Sequence, residues 1–191
     1  MKKVFSIAAI ATLSSLMGST AFADVTASAT ATWDATATKD TTSELVVTPL
    51  KSLIFKYAEG LESFNTVVGA FDVTIKGQTG ATDFDLKSKV ITDTLINPAD
   101  QSELQVGVAW NGDKLSKTTD LVMIDAAQNI NAGLEALAAN FAADGRTSTQ
   151  GNFTFTIDSA SVDGSPVDFS QLTDGLWNGD VSVQFTATWK E

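Results

Sequence analysis

Near both ends, the chain alternates apolar and polar residues one for one. From Val25 to Ala37, one face carries Val25, Ala27, Ala29, Ala31, Trp33, Ala35 and Ala37, and the other carries Thr26, Ser28, Thr30, Thr32, Asp34 and Thr36. Towards the C-terminus, Val181, Val183, Phe185, Ala187 and Trp189 are separated by polar residues in the same way. Successive side chains of a strand point to opposite faces, so both runs are predicted strands. The first would extend ~40 Å at ~3.3 Å per residue, longer than a usual domain strand. Its apolar face is nearly all alanine, which brings roughly one methyl each to a core. Only Val25 and Trp33 carry substantial apolar area. The run Thr30-Ala31-Thr32-Trp33 recurs as Thr186-Ala187-Thr188-Trp189.

Between these ends, Lys39 to Ser43 is polar and reads as a linker. Strand-like runs follow at Leu45–Thr48, Leu53–Tyr57, Phe71–Lys76, Phe84–Leu95, Leu104–Trp110 and Leu121–Ile124, and again at Phe153, Phe155 and Ile157. Asn111-Gly112 signals a type I′ hairpin, and Asp163-Gly164-Ser165-Pro166 a turn. One helix is predicted, because Ile130, Leu134, Leu137 and Phe141 fall on one helical face with Gly145 as the stop. Many short strands with regular turn signals give an all-β fold, a β-sandwich with one short helix.

The first residues set the compartment. Lys2 and Lys3, an apolar run from Val4 to Met17, and Ala21-Phe22-Ala23 have the layout of a signal peptide over residues 1–23, too short to span a membrane. Losing Lys2 and Lys3 takes the formal charge from −11 to −13. That acidity argues against a nucleic-acid partner and for simple solubility. Cysteine is absent although an exported protein is free to form disulfides, so stability must come from packing or a partner chain. Histidine is absent too, which removes Ser-His and Cys-His catalysis and the commonest metal ligand.

An alternating strand set apart by a polar linker either completes its own sandwich or pairs with another molecule. For the second role its backbone would supply affinity to an open sheet edge, and its alternate side chains would fill a row of pockets. Trp33 would be the anchor, since burying ~200 Å² at ~25 cal/mol/Å² gives about 5 kcal/mol as an upper bound.

Several stretches carry a resemblance: Ala31-Thr32-Trp33, Asp40-Thr41-Thr42-Ser43, Leu45-Val46-Val47-Thr48-Pro49-Leu50, Tyr57-Ala58-Glu59-Gly60, Val122-Met123-Ile124-Asp125, and Trp177 through Phe185. With these the chain resembles the alternate chaperone–usher pilins, in the branch that builds the Mat fimbria, the common pilus. The resemblance implies an incomplete immunoglobulin-like β-sandwich over residues 39–191, lacking one strand. It implies an N-terminal donor-strand extension over residues 24–38, with Val25, Ala27, Ala29, Ala31, Trp33 and Ala35 facing the groove of a neighbouring copy. The acceptor edge would include Val181, Val183, Phe185, Ala187 and Trp189. A periplasmic chaperone, an outer-membrane usher and a tip adhesin are the implied further partners. The implied role is the repeating subunit of an adhesive cell-surface pilus that supports attachment and biofilm formation.

Two other readings compete. A pilus-tip adhesin or minor pilin would bind a host glycan or protein, with Trp110 or Trp177 as stacking residues. Tip adhesins carry an extra receptor domain, and this chain has room for one domain. A periplasmic glycosidase would need two carboxylates fixed across a cleft. Acidic residues such as Asp83, Asp85, Asp113 and Asp163 are instead scattered through turns and polar strand faces, so no enzyme is expected. Asp125, Asn129, Asn131 and Gly133 depart from EF-hand spacing, so no metal and no cofactor are expected. Asn152-Phe153-Thr154 fits the glycosylation sequon and is given no weight in an exported bacterial protein.

Overall fold

Phe71, Val73 and Ile75 alternate with polar neighbours, and all three are buried on one face of a ten-residue strand. The same rule builds most of the domain. The computed structural model describes residues 39–40 and 43–191. Its strands are β1 (Leu45–Pro49), β2 (Tyr57–Ala58), β3 (Ser63–Phe64), β4 (Val67–Lys76), β5 (Asp83–Thr92), β6 (Thr94–Ile96), β7 (Glu103–Trp110), β8 (Asp113–Lys114), β9 (Leu121–Asp125), β10 (Arg146–Val162), β11 (Ser165–Val167) and β12 (Ser182–Lys190). One α-helix, α1 (Glu135–Asn140), joins them. The predicted signal peptide and the alternating segment Val25–Ala37, with its proposed donor residues, lie outside the described residues.

One sheet runs in the order β1-β4-β10-β7-β6, with β8 paired to β7 and β11 to β10. A second runs β12-β5-β9, and β2 and β3 form a small hairpin. All described pairs are antiparallel. The two larger sheets pack face to face as a β-sandwich. Phe71, Val73, Ile75, Val106, Val108 and Phe153 meet Phe84, Leu86, Val90, Met123 and Ile124 in one apolar core. Each such side chain contributes roughly 1.5–3 kcal/mol on burial. Phe71 stacks on Phe153 with centroids 4.9 Å apart. Gly151 makes room for this: a Cβ there would lie 2.5 Å from Phe71 Cζ and 2.9 Å from Trp110 Cη2.

Four elements differ from expectation. The predicted strand Phe84–Leu95 breaks at Asp93, where the chain leaves one sheet and joins the other as β6. Asp93 is buried at this corner and ion-paired to Lys117 Nζ at 2.5 Å. The helix is shorter than its apolar period, because Ala132 (φ 47°) and Gly133 (φ 91°) take left-handed backbone just before it. Leu134 and Leu137 are still fully buried, while Ile130 bridges to Asp125 instead. β10 begins at Arg146, seven residues before the predicted Phe153, because its polar threonine-rich start pairs with β4 from Lys76 onwards. Finally, Leu53–Lys56 keeps its alternation without a ladder. Leu53 and Phe55 pack on the core and Ile54 points out, but no strand lies alongside them among the described residues.

The domain has two distinct ends. At the helix end, Lys76 N–H donates to Glu44 O, Gln78 N–H to Phe141 O, and Thr82 N–H to Lys190 O. There Lys190 Nζ lies 2.7 Å from Asp83 Oδ2 and 2.9 Å from Asp85 Oδ2, fastening the last residue of β12. The Lys190 hydrogen bond holds the Asp83 carboxyl below the usual carboxylate range, and Asp83 and Asp85 push the Lys190 ammonium up. At the hairpin end, β2 and β3 sit against Phe169 and Trp177, whose rings lie 5.5 and 6.3 Å from that of Phe64.

Candidate functional site

β1 and β12 are both edge strands. Among the described residues β1 pairs only with β4 and β12 only with β5. Each therefore presents one row of backbone N–H and C=O groups without a ladder partner, a template for another strand. A groove of about 1360 Å³ opens between them. Val47 and Pro49 of β1 form one wall, and Val181, Val183 and Phe185 form the other. Gly69, Phe71, Phe153 and Phe155 make the floor. Gly69 is needed there, since a Cβ would lie 2.5 Å from Phe155 Cε2 and 3.2 Å from Leu53 Cδ2.

Towards the hairpin end the groove is bounded by Leu53, Phe55 and the segment from Phe169 to Val181. This segment has little regular structure, so its shape depends on specific ties. Trp177 Nε1 donates to Ser102 Oγ at 2.9 Å, and Asn178 exchanges backbone hydrogen bonds with Ile96. Ser102 Oγ donates to Asp100 Oδ1 at 2.7 Å. The Ser102 hydroxyl and amide together hold the Asp100 carboxyl below its ordinary range. Glu59, Glu62, Asp174 and Asp180 give the rim an acidic edge, opposed by Lys51.

The five predicted edge residues divide. Val181, Val183 and Phe185 line the groove, with the Phe185 and Phe71 centroids 5.2 Å apart. Ala187 and Trp189 lie beyond it at the helix end. There the Trp189 ring packs 5.1 Å from Phe84, and its indole N–H donates to Phe141 O. The sequence reading missed the opposite wall, the phenylalanine floor, and Phe169 and Leu172, and it named Trp177 only as a stacking residue of the adhesin reading. Only apolar residues in a turn-rich stretch hinted at Phe169 and Leu172.

The remaining candidates resolve differently. Trp110 is core, 4 % exposed and packed on Phe71 and Phe153, so it cannot stack on a glycan. Trp177 is half-buried and tied to Ser102. The carboxylates of Asp83, Asp85 and Asp125 come within 4.8 Å of one another, and Lys190 already supplies a cation to Asp83 and Asp85. Asp125 spends its oxygens on the backbone and side-chain N–H of Gln128 in a turn.

An apolar groove between two unpaired sheet edges is a site that another strand would complete. The family model of fimbrillin MatB matches residues 26–189. The chain belongs to the MatB fimbrillin family. It is 54 % identical to the common pilus major fimbrillin subunit EcpA of Klebsiella pneumoniae subsp. pneumoniae, with 98 % of each chain aligned. To the subunit of the same name in Escherichia coli O139:H28 it is 51 % identical, again over 98 % of each. The CooA pilin subunit from enterotoxigenic Escherichia coli shares the fold at a TM-score of 0.51 and 21 % identity, covering 76 % of this chain and 89 % of that one. MatB fimbrillins are fibre subunits by family and fold, not enzymes. Among the described residues no helix is long and apolar enough to cross a membrane.

Proposed function

We propose that this fimbrillin is the repeating structural subunit of an adhesive surface pilus and polymerises by donor-strand exchange. The observation that carries the reading is the groove between the unpaired edges of β1 and β12. A strand laid there would hydrogen-bond along both edges, each bond netting about 1 kcal/mol, while its alternate side chains cover the phenylalanine floor. Asp24–Ala37 of the neighbouring copy is the donor. Val25, Ala27, Ala29, Ala31, Trp33 and Ala35 face inward; the small alanines suit a groove already rich in large rings, and Trp33 is the one bulky anchor.

In this account residues 1–23 are removed on export and residues 39–191 form the pilin domain. A periplasmic chaperone lends a strand to the groove until an outer-membrane usher exchanges it for the next subunit's extension. The fibre then stands on the cell surface, supports attachment and biofilm formation, and carries any tip adhesin at its end.

Deleting Asp24–Ala37 tests the reading. The variant is expected to bind chaperone yet never donate to a neighbour, while a copy of Asp24–Ala37 linked flexibly after Glu191 yields a stable monomer. Fibres formed by the deletion variant would overturn it.

A further inference from the structure

We propose that Pro49 is a specificity residue of the groove: it keeps the free edge of β1 from pairing with the β1 strand of a second copy, and so reserves that edge for a strand lying between β1 and β12. Its part in assembly rests on the donor-strand reading. The β1–β4 ladder runs without a register shift from Leu45 opposite Ile75 to Pro49 opposite Phe71. Two hydrogen bonds bracket it, Lys76 N–H to Glu44 O at 2.8 Å and Leu50 N–H to Ala70 O at 2.9 Å. Main-chain groups in an antiparallel ladder turn alternately towards the partner and away from it. Glu44, Val46, Thr48 and Leu50 therefore bond to β4, while Leu45, Val47 and Pro49 turn outward to the open edge. Proline has no N–H. The outward row keeps every carbonyl but has donors only at Leu45 and Val47. On the other wall Ala126 N–H donates to Phe84 O, so the even-numbered residues of β5 turn to β9. Val183 and Phe185 stand opposite Val90 and Ser88, and so face the groove with both main-chain groups.

The missing donor matters because of the residues around it. Leu45-Val46-Val47-Thr48 is uncharged, rich in β-branched residues and set on a sheet edge, the kind of strand that pairs with its like. Two copies of β1 joined about a two-fold axis at Val47 would set Leu45 of each against Pro49 of the other, so the gap is met twice. A strand in the groove meets it once, and β12 holds that strand from its other side. A β1–β1 pair uses the same outward row that an occupant of the groove needs, so the two are mutually exclusive. Proline is tolerated at this position because its nitrogen faces away from β4.

Thr48 is exposed and lies outside the groove lining, so a cysteine there reports β1–β1 contact in a chain that has no other cysteine. Soluble purified chain carrying Thr48→Cys, alone and together with Pro49→Ala, is treated with a short bismaleimide and boiled in denaturant. Restoring a donor at both crossings is expected to raise the association constant about 30-fold, a factor of about 5 per hydrogen bond, and to raise the covalent dimer with it. Val47→Pro added to Pro49→Ala removes another outward donor and is expected to bring the dimer back down. Fibre yield from Pro49→Ala is expected to fall as the dimer rises. No more dimer with Pro49→Ala than with Thr48→Cys alone overturns the proposal. Dimer that persists after Val47→Pro, or that rises while fibre yield is unchanged, overturns it too. Fibres formed by the Asp24–Ala37 deletion variant overturn the donor-strand reading instead, and the dimer comparison still decides whether Pro49 guards the edge.

Discussion

Phe185 of β12 and Phe71 of β4 meet across the sandwich with ring centroids 5.2 Å apart, the point where the wall of the groove touches its floor. Phe153 joins them, 5.8 Å from Phe185 and 4.9 Å from Phe71. This cluster links the two sheets just where the fold lacks a strand, so one residue serves both stability and the groove.

Phe185→Ala is therefore expected to do two things. Full burial makes a Phe→Ala change cost about 3–5 kcal/mol, and half-burial brings the expectation to about 2 kcal/mol. Urea unfolding of the monomer carrying a C-terminal donor copy measures that loss. The same variant should form fewer fibres than wild type, because the pocket wall opposite the donor is gone.

Gly151→Ala tests the packing behind the floor. The added methyl collides with Phe71 and Trp110, and overpacking of this kind costs about 1–3 kcal/mol. A lower urea midpoint with an unchanged m-value is the expected result.

Trp177→Phe tests the segment that bounds the hairpin end. It keeps the aromatic packing on Phe64 but leaves the fully buried Ser102 without its indole donor. A net loss of about 1 kcal/mol is expected in the same unfolding assay. Amides of Asn178 and Ile96 should exchange faster with solvent if the tie shapes the segment.

The Lys190 fastening sets a pH dependence. Asp83 has its folded value below the ordinary 3.8, so its contribution is complete above that value and is lost as pH falls through the folded one. Lys190 has its folded value above the ordinary 10.5, so its contribution is complete below 10.5 and is lost as pH rises through the folded one. Hydrogen-exchange protection at Thr186–Lys190, taken relative to the intrinsic rate at each pH, should be greatest between these limits and fall on both sides. Lys190→Met should flatten the profile across the acidic flank.

Much of this fold was legible because its strands are half-buried and keep strict alternation. The pattern in Phe71–Ile75, Leu104–Trp110 and Val183–Trp189 is the pattern of burial. Asn111 (φ 49°) and Gly112 (φ 95°) form the predicted hairpin turn between β7 and β8. The start of β10 was hidden because Arg146–Gln150 owes its strand state to pairing with β4, not to an apolar face. The groove was half-legible. Its β12 wall follows from alternation, but Phe169, Leu172 and Trp177 reach it from a segment with no period. Leu53–Lys56 alternates like a strand, and its missing ladder reflects what lies beside it rather than what it is made of.

The most direct measurement is a fibre structure by electron cryomicroscopy at side-chain resolution. The account predicts Val25–Ala37 of one subunit lying between β1 and β12 of the next, hydrogen-bonded to both, with Trp33 on the face turned to Phe71 and Phe153. A groove left empty, or filled by the subunit's own N-terminal segment, would contradict it.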